Sequence, residues 1–290
     1  MNDYGTGDYQ HYPYTQPSKR RFRLRLFGLP HDKPYINVIL FVLTIFSTYV
    51  TAGFWYALPV IAILLAHEMG HYLMCRRYGV TATLPFFIPF PLANPFGTMG
   101  AVIQMKGIMP NRKALFDIGA AGPIAGLVLT IPTVYFGISH SQIITTAQMP
   151  EASLSLGESL LFKFLSYLAV GRLDDGQDIL LHPAAYAGWA GLFVTAMNLL
   201  PLGQLDGGHI LYSIFGRSSG PVNYAFLGAL GVLTIIYPGW ALLFALLLIF
   251  GRKHPAPLDD VTPLDVKRKI LGAFILLFFI LSFTPMPFKL

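Results

Sequence analysis

The sequence predicts an all-α polytopic membrane protein with about six to seven transmembrane helices, a re-entrant membrane-associated β-hairpin and a three-helix core. Three observations carry this. Hydrophobic residues make up 54% of the 290-residue chain and charged residues only 12%, against about a quarter charged in a soluble domain. Apolar runs long enough to cross a bilayer recur along the chain, and the mean hydropathy is +0.57. The basic residues cluster between alternate runs, as they do around membrane spans.

The elements follow in order. Residues 1–28 read as a disordered basic cytoplasmic tail. MNDYGTGDYQHYPYTQPS is too polar to bury a core and lacks the apolar stretch of a signal peptide. SKRRFRLRLFG (18–28) then supplies basic residues suited to anionic lipid. Residues 29–284 read as a single transmembrane domain with its core at 55–216, and 285–290 as a short tail. Spans are expected at about 36–52, 55–75, 113–138 and 184–202. The run 222–250 is split by Tyr237-Pro238-Gly239 into two short spans or a helical hairpin, and a last span covers about 270–284. The stretch 80–106 contains Pro85, Pro89, Pro91 and Pro95 and a Gly-Thr-Met-Gly turn, so a straight helix is excluded. It is also too apolar for an ordinary loop. It therefore reads as the hairpin, tolerable at membrane depth only where protein or a water cavity satisfies its backbone. Residues 139–183 form an acidic outer loop, whose segment 157–171 reads as a short interfacial helix.

Alternating the spans from a cytoplasmic N-terminus puts all 20 Lys and Arg except Lys163, Arg172 and Lys289 on the cytoplasmic side. The net charge of +6 thus reports topology and the lipid bilayer, and no nucleic-acid partner is expected. The lone Cys75 excludes an internal disulfide and a cysteine-rich metal site.

Few ionisable residues fall inside the apolar runs. Of 14 acidic residues only Glu68, Asp117 and Asp206 do so, with His67, His71 and His209 among the histidines. Charge at membrane depth costs several kcal/mol, which makes each a candidate for function. His67-Glu68-Met69-Gly70-His71 is HExxH. On a helix, positions i and i+4 share a face, so both imidazoles can reach one Zn²⁺, and Glu68 lies beside the first ligand as a general base. The other reading of the motif is a polar cluster that glues helices together. A catalytic zinc needs a third protein ligand. Asp117 reads better as an acid near a helix N-terminus. Asp206, in NLLPLGQLDGGHILYSIFG (198–216), is the better choice, with His209 as its rival. Pro201, Gly203, Gly207 and Gly208 can break the helix there, and both motifs lie toward the cytoplasmic ends of their spans.

HEMGH followed by N-x-x-P-x-x-x-LDGG resembles the site-2 protease family of intramembrane zinc metalloproteases, over roughly residues 55–216. The stretch GTMGAVIQMKGIMPNRKALFDIGAAGPIAG (97–126) is similar to the branch of bacteria and plastids. The resemblance implies a catalytic core of the spans at 55–75, 113–138 and 184–202. It implies one Zn²⁺ held by His67, His71 and Asp206, with Glu68 as base. It also implies that Asn198 positions the substrate backbone or oxyanion, and that the hairpin offers an edge to an unwound transmembrane substrate. Asn94, Phe96 and Gly97 are the candidate edge residues. An unwound helix needs new backbone partners at low dielectric, and an edge strand can supply them.

No loop is long enough for a PDZ domain. The expected location is multi-pass in a membrane, a bacterial plasma membrane being the first choice, with the active site toward the cytoplasm. Two other classes of function use the same residues: a metal transporter, which the absence of an internal repeat and the needless base at Glu68 argue against, and a non-catalytic membrane scaffold, which the intact HExxH and LDG argue against. The G-x-S-x-G match at Gly216–Gly220 sits in a polar turn before Pro221 and is read as a turn. Substrate identity and oligomeric state have no signature in the chain.

Overall fold

In the computed structural model, residues 33–91, 94–148, 155–250 and 255–289 are described. The N-terminal tail expected from the sequence lies outside them.

Gly53 alone separates the first two helices, α1 (Pro34–Ala52) and α2 (Phe54–Arg77), and its φ of 76° is one that glycine adopts without steric cost. The residues that α1 buries are Thr44, Ser47 and Thr48, while Val38, Phe46 and Tyr49 point outward. Hydroxyls face in and hydrocarbon faces out, the reverse of a helix on a soluble protein.

After α2 the chain forms four short strands: β1 (Thr81–Ala82), β2 (Phe86–Pro89), β3 (Thr98–Val102) and β4 (Met105–Lys106). β2 pairs antiparallel with β3, Phe86 facing Val102, and β1 with β4, Thr81 facing Lys106. Thr83 N–H donates to Gln104 O at 3.0 Å and carries the pairing across the gap between them. At the base, Val80 N–H donates to Cys75 O at 2.9 Å, and at the tip Tyr56 OH donates to Phe96 O at 2.8 Å. Tyr56 and Cys75 both belong to α2, nineteen residues apart, so the paired ribbon runs about 28 Å along that helix.

Asn111 caps the long α3 (Arg112–Ser139), its side chain accepting from Ala114 N–H. Between α3 and the next pass lie β5 (Gln142–Thr145), β6 (Ser155–Leu156), α4 (Leu160–Val170) and β7 (Gln177–Leu180), with β5 paired to β7. The expected short helix at 157–171 is thus α4, which Ser159 caps. Next come α5 (Pro183–Asn198) and α6 (Asp206–Phe215), and both run antiparallel to α3. Their sequence of close approaches fixes this. A Cβ on Gly137 would meet Ala185, one on Gly188 would meet Val134, one on Gly191 would meet Thr130, and one on Gly119 would meet His209. α5 and α6 are therefore two halves of one pass along α3, interrupted at 199–205. Glycine at the crossings lets the backbones approach closely, as packing between apolar helices requires.

α7 (Gly220–Ile236), α8 (Ala241–Phe250), α9 (Val266–Ser282) and β8 (Phe288–Lys289) complete the fold. The expected break at Tyr237-Pro238-Gly239 is present as a 3₁₀ turn, Pro238–Trp240. Aromatic rings on α5 form a ladder, Tyr186, Trp189 and Phe193, and Phe96 from the hairpin lies against all three. Among the described residues, four helical stretches are long and apolar enough to cross a membrane: Pro34–Ala52, Phe54–Arg77, Arg112–Ser139 and Asp206–Ile236. The last is not one rod, because Gly216 at φ 59° ends α6 before α7 begins.

Candidate metal centre

The site is built where the broken pass meets α2. His67, Glu68 and His71 lie two-thirds of the way along α2, and all three are buried. Asp206 is the first residue of α6. The break that delivers it holds Pro201 and Gly203, the latter at φ 55°. Gly207 and Gly208 act differently from the sequence expectation. They do not break the helix but sit in its first turn, where a Cβ on either would lie 2.0 Å from Leu199 O or 2.4 Å from Gly203 O. They allow the incoming loop to fold tightly over the helix start.

His67 Nε2 lies 3.2 Å from Asp206 Oδ2, and His71 Nε2 lies 3.3 Å from Asp206 Oδ1. One donor atom from each of the three residues falls within 4.8 Å of the others. Tetrahedral zinc, with bonds near 2.0–2.1 Å to nitrogen and oxygen, sets its ligand atoms about 3.3 Å apart. The two histidine-to-Asp206 separations are of this size, each to its own carboxylate oxygen, and the group as a whole lies close enough to close on such an ion. A second observation agrees. His71 Nδ1 lies 2.7 Å from Ile118 O; a carbonyl only accepts, so Nδ1 carries the proton and the Nε2 lone pair faces Asp206. The third is the wall opposite. A Cβ at Gly122 would lie 2.0 Å from His71 Nε2, and one at Gly126 would lie 3.3 Å from His67 Nδ1. Gly122 must be glycine to leave room for the His71 ring, and Gly126 keeps the His67 ring uncrowded.

Two further predicted residues join the group. Asn198, the last residue of α5, places Nδ2 3.3 Å from His67 Nε2. Glu68 lies where α2 packs against the hairpin, near the Ile103 backbone between β3 and β4. The rivals for third ligand do not belong to the donor group. His209 faces Gly119 from α6, and Asp117 is engaged elsewhere. Arg268 Nε donates to Asp117 Oδ1 at 2.7 Å and Nη2 donates to Oδ2 at 2.6 Å, while Tyr78 OH donates to Oδ2 at 2.5 Å. Asp117 is thus a partly shielded ion-pair partner in the second turn of α3 rather than an acid facing a helix N-terminus. Arg268 also bonds Asp265, outside the helices, and holds its carboxyl below the usual carboxylate range.

Asn94, Phe96 and Gly97 lie away from this group, at the hairpin tip beside Tyr56. By helix rise that is about 16 Å along α2 from His67. Asn94 Oδ1 accepts from Phe96 N–H at 3.1 Å and Gly97 N–H at 2.7 Å, which builds the turn. The tip carbonyls are taken: Pro95 O by Tyr186 OH, Phe96 O by Tyr56 OH and Gly97 O by Ser47 Oγ, at 2.6, 2.8 and 2.5 Å. Sequence reasoning did not find Ile118 O, Ile103 or Arg268. The first two act through backbone atoms, which carry no residue signature. Arg268 reads as one more topological charge.

The family model described as Peptidase family M50 matches residues 55–236 of this sequence. The chain belongs to peptidase family M50. The M50 segment contains the donor group, Glu68, Asn198 and the whole hairpin. It leaves out α1, the segment 255–265 and α9. The family is that of the site-2 proteases, as the HExxH and LDGG motifs imply. Curated relatives agree. The chain is 37% identical over 242 residues to the protein named probable zinc metalloprotease EGY1, chloroplastic, of Oryza sativa subsp. japonica, covering 80% of this chain and 40% of that protein. It is 33% identical over 236 residues to probable zinc metalloprotease EGY2, chloroplastic, of Arabidopsis thaliana, covering 80% and 42%. The chain therefore spans about two fifths of the length of these M50 relatives.

Proposed function

We propose that this chain is an intramembrane zinc metalloprotease that hydrolyses peptide bonds within transmembrane segments of other membrane proteins. The observation that carries the reading is the convergence of His67, His71 and Asp206 beside buried Glu68, on helices apolar enough for a bilayer. One Zn²⁺ per chain, held by those three residues, would acidify an attacking water and polarise the scissile carbonyl. Glu68 takes the proton of that water and returns it to the leaving amine. Asn198, beside His67, steadies the substrate backbone at the reacting carbonyl. The strand β3 leads directly to Ile103 and Glu68, so its edge is the one we assign to an unwound substrate. Asn94, Phe96 and Gly97 hold the hairpin in place for that purpose.

The unit that does this is a single transmembrane domain over 29–284. Within it α5 and α6 form one broken span, α7 and α8 a hairpin of spans, and α9 the last, giving six to seven crossings with the β-ribbon set into the membrane. The basic residues put the site toward the N-terminal side of the bilayer. A bacterial plasma membrane has no support from the named relatives, which are chloroplastic, so the reading is confined to the basic face of a membrane.

The test is Glu68→Gln in the full chain. Zinc content should stay at one per chain while cleavage of a transmembrane substrate in cells falls by at least a thousandfold, the general base having been removed along with its share of charge stabilisation. Turnover near the wild-type rate in this variant would sink the mechanism.

A further inference from the structure

The residues that hold the metal centre do not hold themselves. His71 depends on Ile118 O for its tautomer and on Gly122 for its space. Both belong to one face of α3, so a small rotation of α3 about its axis would spoil both together. Asp117 is the neighbour of Ile118. Its carboxylate receives Tyr78 from the end of α2, two turns beyond His71 on the same face. It receives Arg268 in a two-point grip from α9. One carboxylate thus ties α2, α3 and α9 together one residue from the carbonyl that orients His71.

A second clasp lies a few residues earlier in the same C-terminal stretch. Asp260 accepts from Arg112 Nε at 3.0 Å and from Tyr212 OH at 3.1 Å, and lies 3.3 Å from Arg217 Nε. Arg112 begins α3, and Tyr212 lies on α6, the helix that starts with Asp206. The backbone joins in: Leu258 N–H donates to Met109 O at 2.9 Å and Asp259 N–H to Pro110 O at 3.0 Å. The helix that supports His71 and the helix that carries Asp206 are therefore fastened to one strap, residues 258–268. That strap lies beyond residue 236, where the family match ends.

We propose that the strap 258–268 is a brace for the metal centre, and that Arg268, through Asp117, is a positioning residue for His71. This rests on the zinc reading of the site. A two-point guanidinium–carboxylate grip fixes angle as well as distance, which a lysine at the same place does not. The carboxylate is mostly shielded, at 19% side-chain exposure, so water competes weakly for it.

The experiment measures zinc affinity by chelator competition, and the visible spectrum of the cobalt-substituted full chain in detergent, for the wild type, Arg268→Ala, Arg268→Lys and Asp117→Asn. Unfolding temperatures of the zinc-free proteins are measured alongside. Outer partners of metal ligands alter affinity by about tenfold to a hundredfold. Arg268→Ala and Asp117→Asn act one residue further out, through Ile118, and should weaken zinc by the low end of that range, about tenfold, and shift the cobalt bands. Arg268→Lys should fall between them and the wild type. The double variant should be no worse than the poorer single one, because both remove one contact. Unchanged zinc affinity and cobalt spectrum, with only a lower unfolding temperature, would overturn the brace and leave a stabilising ion pair. Where Arg268→Ala does not fold, Tyr78→Phe removes one hydroxyl from the same carboxylate. It should weaken zinc measurably, and an unchanged affinity would count against the proposal in the same way. A wild type that binds neither zinc nor cobalt would instead overturn the functional reading on which this one rests.

Discussion

At the scale of single residues, the centre depends as much on what is absent as on what is present. Gly122 faces His71 Nε2 with no side chain between them. Gly122→Ala would set a methyl 2.0 Å from that nitrogen. We expect it to abolish zinc binding, by more than a hundredfold in affinity, while the helix itself tolerates alanine better than glycine. Gly126→Ala, at 3.3 Å from His67, should cost clearly less. Metal content after affinity purification separates the two. The donor group was legible in the sequence because ionisable residues are so scarce in its apolar runs. HExxH has a helical face built into its spacing, and Asp206 stood out among few acids. Ile118 O was invisible, since any residue supplies a carbonyl. The pairing of Asp117 with Arg268, 151 positions apart, has no local pattern to betray it.

Elements show a different balance. Helix positions followed from apolar length, and the Tyr237-Pro238-Gly239 break from the chemistry of proline and glycine. The run at 184–202 was read as one span, yet α5 stops at Asn198 and its course is resumed by α6. Pro201 and Gly203 marked the break, but hydropathy alone carried the span past Asn198, because it cannot register a turn whose polar backbone is satisfied by the protein around it. The hairpin tip carries the clearest prediction at this scale. Three consecutive carbonyls are each capped by a hydroxyl from a different helix. Tyr56 is fully buried, so Tyr56→Phe strands Phe96 O and should lower unfolding stability by about 1–3 kcal/mol. Tyr186→Phe frees a carbonyl that water can reach and should cost less than that. Thermal unfolding of the two variants in the same detergent checks the order.

For the whole molecule, the metal would join parts of the chain that covalent connectivity leaves 139 positions apart, His67 and Asp206. Binding to the folded state alone adds about 2.7 kcal/mol of stability at a hundredfold excess over Kd. Stripping zinc with a chelator should therefore lower the unfolding temperature of the wild type. The same treatment should leave Asp206→Ala where it was, and equal shifts in both would show the metal to be bound elsewhere. The expected topology at this scale rests on a simple asymmetry of the basic residues. The number of full crossings was less legible. Among the described residues four stretches reach full length and apolarity, and the remaining apolar helices are shorter.

The first helix has a consequence of its own. By hydropathy α1 is a generic anchor, and any greasy segment of nineteen residues would serve to hold the chain in a bilayer. Its inner side says otherwise. Ser47 caps Gly97 O, and Asn37 Nδ2 donates to Pro85 O at 2.9 Å, near the hairpin's base. A polyleucine replacement would insert equally well but strip both carbonyls of their side-chain partners, leaving Gly97 O with the Phe90 N–H alone. α1 lies outside the segment matched to the family, yet it is not exchangeable. A chimera that borrowed its first helix from another membrane protein would have to borrow this spacing of an amide and a hydroxyl too, ten residues apart on the inward side.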